Sequence, residues 1–401
     1  MKPTMPRVIV IDSDETAVRQ LRQLDCDPRG IAIMAAKAVF KAVKIESVPA
    51  KAANLLKQTF LAKGGEVAVA RGTADLSIEY TDVLIMATLK QYRLALQQLK
   101  LQPWGLPDLA ARIDAALQAA AVFPARHYQW GERSLSIRPG RTLVMGILNV
   151  TPDSFSDGGK YHNPDAAVRQ AQIMAEQGAD IIDIGAESTR PGAQPVDEQE
   201  ELTRLLPVLE AVLRQTELPV SIDTYKPAVA RAALAAGAHI LNDIWGLHRP
   251  GMAEAAAAYA APVIVMHNRT DTVYQQDMLA EMIAFLQTGL ENGLQAGIPF
   301  KKFIIDPGIG FGKTSLQNLE VMARLSELKV LGCPILLAAS RKRFIGEALG
   351  GLPPHERLEG TAATAAWGIM QGANIVRVHD VREISRLTRM MDAMTRSDAH
   401  E

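Results

Sequence analysis

Chemistry in this chain can gather where short apolar runs end in polar side chains. Asn149, Asp183, Asp223, Asn242 with Asp243, His267, Asp306, the run Ser340-Arg341-Lys342, and Arg377 with His379 all close such runs. Their types are complementary. Carboxylates accept hydrogen bonds, amides donate and accept, and the Lys342 ammonium can donate, so together they can hold a polar ligand. A planar guanidinium such as Arg377 suits both stacking on a flat ring and holding phosphate oxygens. Arg377 and His379 occupy alternate positions of one run, so they point the same way, and His379 can donate to a departing anion. His267 has no role that its neighbours in sequence make clear and stays outside the set.

Positioning these groups requires a scaffold that brings distant run ends together. From about residue 142 onward, short β-rich runs alternate with Ala-, Leu- and Glu-rich stretches long enough for helices. The runs are Thr142 to Asn149, Asp180 to Gly185, Pro219 to Asp223, His239 to Asp243, Pro262 to His267, Phe303 to Asp306, Pro334 to Ser340 and Asn374 to His379. Eight strands with helical crossovers predict an α/β fold, a closed (β/α)8 TIM barrel with its site at the carboxyl ends of the strands. A doubly wound open sheet is the alternative, but neither a G-x-G-x-x-G turn nor a P-loop follows the first strand.

A barrel of this kind takes about 250 residues, so 401 residues leave room for a second, smaller unit. Residues 1–125 mix predicted strands (Arg7 to Asp12, Glu66 to Arg71, Thr81 to Ala87) with helical stretches such as Val48 to Leu61, an α+β domain whose role the sequence does not state. Ala125 to Gly140, with Trp130-Gly131 and Pro139-Gly140, reads as a hairpin leading into the barrel, which places the boundary at 125/126 and the barrel at 126–401.

With 48% hydrophobic and 22% charged residues the chain has apolar surface for a sizeable core. Lys plus Arg (43) nearly balance Asp plus Glu (44), and residues 1–125 carry a net +4, too little and too dispersed for nucleic acid or an acidic membrane to be the expected partner. Any anion must be held locally. Cys26 and Cys333 are too few for a disulfide framework and lack zinc-site spacing. No stretch of about 18 apolar residues occurs and the start resembles a strand more than a signal peptide, so a soluble, unprocessed, cytoplasmic protein is expected.

The longest motif is Met145-Gly146-Ile147-Leu148-Asn149-Val150-Thr151-Pro152-Asp153-Ser154-Phe155-Ser156-Asp157-Gly158-Gly159, a strand running into a polar, Gly-rich loop. Residue types alone leave ordinary turn chemistry open for it, as they leave helix capping open for any one of the strand-end acids. The ordered string, however, resembles the first signature of the dihydropteroate synthases almost residue for residue. The likeness continues through Asp183-Ile184-Gly185-Ala186-Glu187-Ser188-Thr189-Arg190-Pro191-Gly192, Ser221-Ile222-Asp223-Thr224, Asn242-Asp243, Asp306-Pro307-Gly308-Ile309-Gly310-Phe311-Gly312-Lys313, Ser340-Arg341-Lys342 and Arg377-Val378-His379-Asp380, covering about residues 126 to 395. Ala338 stands where relatives often have glycine, and Met266-His267-Asn268-Arg269 varies from another common form.

This resemblance implies condensation of 6-hydroxymethyl-7,8-dihydropterin pyrophosphate with 4-aminobenzoate, releasing pyrophosphate and 7,8-dihydropteroate. It implies Asp223, Asn242, Asp306, Phe311, Lys342 and Arg377 around the pterin, and Asn149, Arg377 and His379 at the pyrophosphate. It also implies Thr189, Arg190, Pro191 and Ser340 at the aminobenzoate, Mg2+ as cofactor with Asn149 as its protein contact, and a homodimer. Asn149, Asp223, Asp306, Lys342, Arg377 and His379 form the expected catalytic set; Lys313 has a solvated surface position as its plain alternative. The rival is a pterin-binding barrel moving a methyl group from methyltetrahydrofolate to a corrinoid protein, which would need no pyrophosphate site.

Overall fold

The computed structural model describes residues 5–150, 164–187 and 196–397, and the chain divides between Ala121 and Val122 into two compact units. In the amino-terminal unit β1 (Phe40–Pro49), β2 (Glu66–Val69) and β3 (Tyr80–Thr88) form an antiparallel sheet in the order β1-β3-β2. Alternate residues of β3 are buried, as a half-covered sheet requires. That covered face meets Leu56, Phe60, Tyr92, Leu99 and Ile113 from three helices, and the buried Tyr92 hydroxyl donates to Ile85 O at 3.0 Å. The strand expected over Arg7 to Asp12 does not form: Val8 and Val10 are exposed and no sheet neighbour lies beside them, so β propensity goes unused without a ladder partner. Phe40–Pro49, where no strand was expected, pairs along the length of β3 instead.

The second unit opens with the hairpin β4 (Arg126–Trp130) and β5 (Arg133–Ile137). Eight parallel strands follow: β6 (Leu143–Asn149), β7 (Ile181–Gly185), β8 (Val220–Asp223), β9 (Ile240–Asp243), β10 (Val263–Met266), β11 (Phe303–Asp306), β12 (Ile335–Leu337) and β13 (Ala373–Val378). They close into a ring in sequence order, with β13 bonded to β6. Closure rules out the open-sheet alternative. The β12 ladder is shorter than the run Pro334 to Ser340, because the chain leaves it before Ser340 to make the turn that carries Lys342.

Strand side chains alternate between the barrel interior and the surrounding helices. Met145, Ile181, Ile240, Ile264, Ile304, Leu336 and Ile375 fill the interior together with Tyr128, Leu135 and Ile137 of the hairpin, which plugs the amino-terminal end. Two residues further along the same inward rows stand Asp183, Asn242, Asp306, Ala338 and Arg377. Residues of the opposite parity, such as Val144, Ile182, Ile184, Val263 and Val265, pack outward against the helical ring.

Candidate functional site

A period of two puts six strand-end groups at one mouth: Asn149 on β6, Asp183 on β7, Asp223 on β8, Asn242 on β9, Asp306 on β11 and Arg377 on β13. Arg377 ties three of these strands together. Its Nε donates to Asp183 Oδ2 at 2.6 Å and its Nη2 to Asp223 Oδ2 at 2.9 Å, while Asn242 Nδ2 donates to the same Asp183 oxygen at 3.3 Å. Burial works against the Arg377 cation, but the Asp183 and Asp223 carboxylates outweigh it and hold its pKa above the ordinary value. Asp223 is pushed up to about 7 by burial, with Arg377 opposing and Asp183 reinforcing the shift.

What these groups lack is as informative as what they bind. Asp183 Oδ1, Asp223 Oδ1, Asn242 Oδ1 and Ser221 Oγ are buried and no protein donor among the described residues reaches them. An unsatisfied buried polar atom costs about 1–3 kcal/mol, so four on adjacent strands are a built set of acceptors for a ligand rich in N–H groups. The sequence marks Asp183 as a strand end and part of a signature, not as a site residue. Its inward parity, two residues beyond Ile181, was the available signal.

Asp306 is 2% exposed, accepts from Gly308 N at 2.7 Å, and burial raises its carboxyl pKa. The turn behind it depends on glycine: at Gly308 (φ 64°) a Cβ would lie 1.9 Å from His267 O, and at Gly310 (φ 85°) one would lie 2.9 Å from the Lys342 Cδ. Lys342 donates to Ile309 O and its Nζ lies 4.5 Å from the centre of the Phe311 ring; burial lowers the ammonium to about 8. Sequence alone gives no hint that Arg341 turns the chain through a left-handed conformation (φ 57°) to present Lys342. That conformation costs roughly 1–2 kcal/mol for a side chain with Cβ. It is held by Thr361 Oγ1 on Arg341 N (3.0 Å), by Arg357 Nη1 donating to Arg341 O (2.8 Å), and by the ion pair of Arg341 with Asp380. Ser340 Oγ lies 3.0 Å from His379 Nδ1 and accepts from His379 N at 3.2 Å, which joins the ends of β12 and β13.

Two strand-end groups, Asp243 and His267, and Lys313 of the turn after β11 turn out to be scaffold. Asp243 faces away from Asn242 and accepts from Trp245 N (2.9 Å) and Leu247 N (2.8 Å), capping a turn. Lys313 is not solvated: it is 8% exposed and donates to Gly308 O and Phe311 O, with His267 Nδ1 at 2.9 Å. Burial, reinforced by the neighbouring Lys313 cation, pushes His267 down to about 2, which keeps it neutral as a packing partner of Tyr274 and Phe285. Thr189, Arg190 and Pro191, together with residues 151–159 of the first motif, lie outside the described residues.

Comparisons with known proteins agree with this geometry. A family model described as pterin binding enzyme matches residues 145–379. Over 255 residues the chain is 54% identical to the dihydropteroate synthase of Bacillus subtilis, covering 63% of this chain and 89% of that protein. A probable bifunctional folylpolyglutamate synthase/dihydropteroate synthase of Halobacterium salinarum is 41% identical over 398 residues, 97% of this chain and 47% of that one, so this likeness extends through the amino-terminal unit. Among solved structures, a Xanthomonas albilineans dihydropteroate synthase with 4-aminobenzoic acid is 43% identical at a TM-score of 0.65, covering 68% of this chain and 99% of that one. The same organism's enzyme in complex with 7,8-dihydropteroate is 40% identical at a TM-score of 0.62, covering 67% of this chain and 98% of that one.

Proposed function

The chain belongs to the dihydropteroate synthases, a group of pterin-binding enzymes, and from that premise we propose how its own residues carry the reaction. The enzyme joins 6-hydroxymethyl-7,8-dihydropterin pyrophosphate to 4-aminobenzoate. The amine lone pair attacks the methylene carbon, the bond from that carbon to the pyrophosphate oxygen breaks, and the amine loses a proton to give 7,8-dihydropteroate. An electron-rich dihydropterin can carry positive charge at the methylene, so the protein has to orient two substrates and stabilise a leaving anion; no covalent nucleophile is needed.

The observation that carries the reading is the set of buried acceptors without protein donors, Asp183 Oδ1, Asp223 Oδ1 and Asn242 Oδ1. The amino and ring N–H groups along one edge of a pterin supply the donors they lack. Asp306 and Lys342 then hold the ring's polar edge, with Phe311 beside the pocket. Arg377 has Nε and one Nη2 bond committed to carboxylates, which fixes its plane; its face and remaining N–H groups serve the ring and the pyrophosphate. His379 donates to the departing pyrophosphate and Ser340, beside it, contacts the aminobenzoate, joined by Thr189, Arg190 and Pro191.

Mg2+ fits the donor set. It keeps several waters and binds phosphate oxygens with one or two protein oxygens rather than a full protein cage, and Asn149 offers one amide oxygen at the end of β6, next to β13. No group of three or more His, Cys, Asp or Glu that would build such a cage occurs among the described residues. When bound, Mg2+ would be held by Asn149 and would supply charge neutralisation at the leaving pyrophosphate. A homodimer working in the cytoplasm completes the proposal. Trp367, Met370, Met390 and Met394, exposed on the helices Leu358–Gln371 and Val381–Ser397, support the self-association, which sedimentation equilibrium would check. No helix among the described residues is long and apolar enough to cross a membrane.

The test is dihydropteroate formation by the purified protein. Asp306→Ala and Lys342→Ala are each expected to lower kcat/KM by roughly 10²-fold, the worth of a hydrogen bond to a charged group. Chelation with EDTA should stop turnover, Mg2+ should restore it, and Asn149→Ala should raise the Mg2+ concentration for half-maximal rate. Turnover indifferent to the chelator would remove Mg2+ and Asn149 from the reading.

A further inference from the structure

A concave surface that shares no residue with the mouth lies between the helices Pro164–Gln177 and Val381–Ser397. It is a cleft of about 580 Å³, lined by Ile173, Glu176 and Gln177 of the first helix and by Arg382, Arg386 and Arg389 of the second. That volume falls within the roughly 300–1,000 Å³ of small-ligand sites. Spacings of four and three put the arginines on one stripe of their helix. All three are exposed, while Val381, Ile384, Ser385 and Thr388 bury the stripe behind them. The place of Arg389 depends on glycine. At Gly178 (φ 99°), just past the first helix, a Cβ would lie 2.4 Å from Ser385 Oγ and 2.9 Å from Arg389 Nη2.

The chain does not neutralise these cations. Arg382 and Arg386 make no hydrogen bond or ion pair among the described residues, and Arg389 donates only to Ser385 Oγ, at 3.3 Å. Other helices set a glutamate four residues from an arginine and pair the two, as in Arg204 with Glu200, Arg324 with Glu320 and Arg343 with Glu347. Here the residue four beyond Arg382 is Arg386, a like charge, which destabilises a helix. Asp392, three beyond Arg389, is committed to Thr142 N (2.9 Å) and Thr142 Oγ1 (2.8 Å). Arg382 also stands in the first turn, where the helix dipole disfavours a cation. Three guanidiniums gathered against repulsion and dipole, in a cleft with one acid and one apolar side chain in its lining, suit a compact multivalent anion. Their planar forks match phosphate oxygens. We propose that this cleft is an oligophosphate-binding site, taking a di- or triphosphate group that is either free or the tail of a nucleotide. It is distinct from the pyrophosphate position at Asn149, Arg377 and His379.

The test is calorimetric titration of the full chain with tripolyphosphate at low ionic strength, where exposed charges are least screened, and with dihydropterin pyrophosphate present to fill the mouth. The parent should bind tripolyphosphate with a Kd below about 1 mM, and inorganic phosphate more weakly. Arg386→Ala should weaken tripolyphosphate about ten-fold, the worth of an exposed charge-assisted contact. Arg386→Lys should lose less, because it keeps the charge and gives up the fork, and Arg386→Glu should abolish binding. Dihydropteroate formation by Arg386→Ala should keep its kcat/KM within about two-fold, as expected for a residue apart from the mouth. ATP binding as tightly as tripolyphosphate would mark the phosphate chain itself as the recognised group. ATP binding about ten-fold or more tighter would mark a nucleotide as its source. No binding to the parent, or equal binding to the parent and to a folded Arg386→Glu protein, overturns the site, and a larger fall in kcat/KM overturns its separation from the mouth.

Discussion

At the amino-terminal end of the barrel, Tyr128, Leu135 and Ile137 of the hairpin meet Leu143, Met145, Ile181 and Ile304, and the interior is apolar side chains in contact. Two residues further along the same strands, Asp183, Asn242, Asp306 and Arg377 occupy an interior of similar burial with carboxylates, an amide and a guanidinium. The bottom is not free of unpaired polar atoms, since the Tyr128 hydroxyl and Arg126 Nε meet no hydrogen-bond partner among the described residues, but among those residues no ion pair lies in its interior contacts. The same backbone and pleat thus serve opposite ends: one layer is closed by its own side chains, the other only when a ligand supplies donors. Stability should therefore be concentrated in the lower layer and reactivity in the upper one.

Arg377→Met is expected to have the largest effect, because it fits neither role alone. Removing the cation leaves Asp183 and Asp223 buried together and should cost about 3–5 kcal/mol of unfolding free energy by urea titration. Product formation should fall by roughly 10²-fold or more. Adding Asp183→Asn should restore part of the stability and none of the activity; recovery of both would mean that the mouth is held for structure alone. Next comes Leu135→Ala in the plug, which should cost about 2–5 kcal/mol through the cavity it leaves. Its kcat/KM per folded molecule should stay within about two-fold of the parent, as expected for a site that is remote from the change. A larger loss of turnover in that variant would break the division between the layers.

The smallest effect is a slope. The Asp223 carboxyl, ordinarily at 3.8, is pushed up to about 7 in the folded chain, chiefly by burial. Folding therefore favours its protonated form, so its contribution to stability is fully present below the unfolded value and is lost as pH rises toward the folded one. Asp223→Asn cannot ionise. The urea midpoint of the parent minus that of the variant should accordingly fall between about pH 4 and pH 7 and level off above that range. A difference that rises with pH would mean that Arg377 dominates and that Asp223 is held ionised.

Much of this site was legible from residue order. Asp223, Asn242, Asp306 and Arg377 could be named because each ends a short β-rich run, and a parallel barrel gathers such ends at one mouth. Parity was harder to use. Asn242 and Asp243 are adjacent, both polar and both at a strand end, yet one enters the barrel and the other caps a turn outside it. Lys313 and Lys342 flank the same Gly-rich turn, and only the fold separates the scaffold cation from the one facing Phe311. In the amino-terminal unit the run Arg7 to Asp12 had strand composition and found no partner, while Phe40–Pro49 found β3.

By itself, then, the sequence determined the alternation of strands and helices and the identity of the groups at the strand ends, because periodicity and residue type are local properties of a chain; closure into a barrel was decided in three dimensions. Which carboxylate oxygens are paired and which are left for a ligand, that Asp183 shares Arg377 with Asp223 across 194 and 154 residues of chain, and that Asp392 serves Thr142 rather than Arg389 were decided only in three dimensions. Hydrogen bonds between distant strands depend on barrel closure and side-chain direction, and neither is written at any single position.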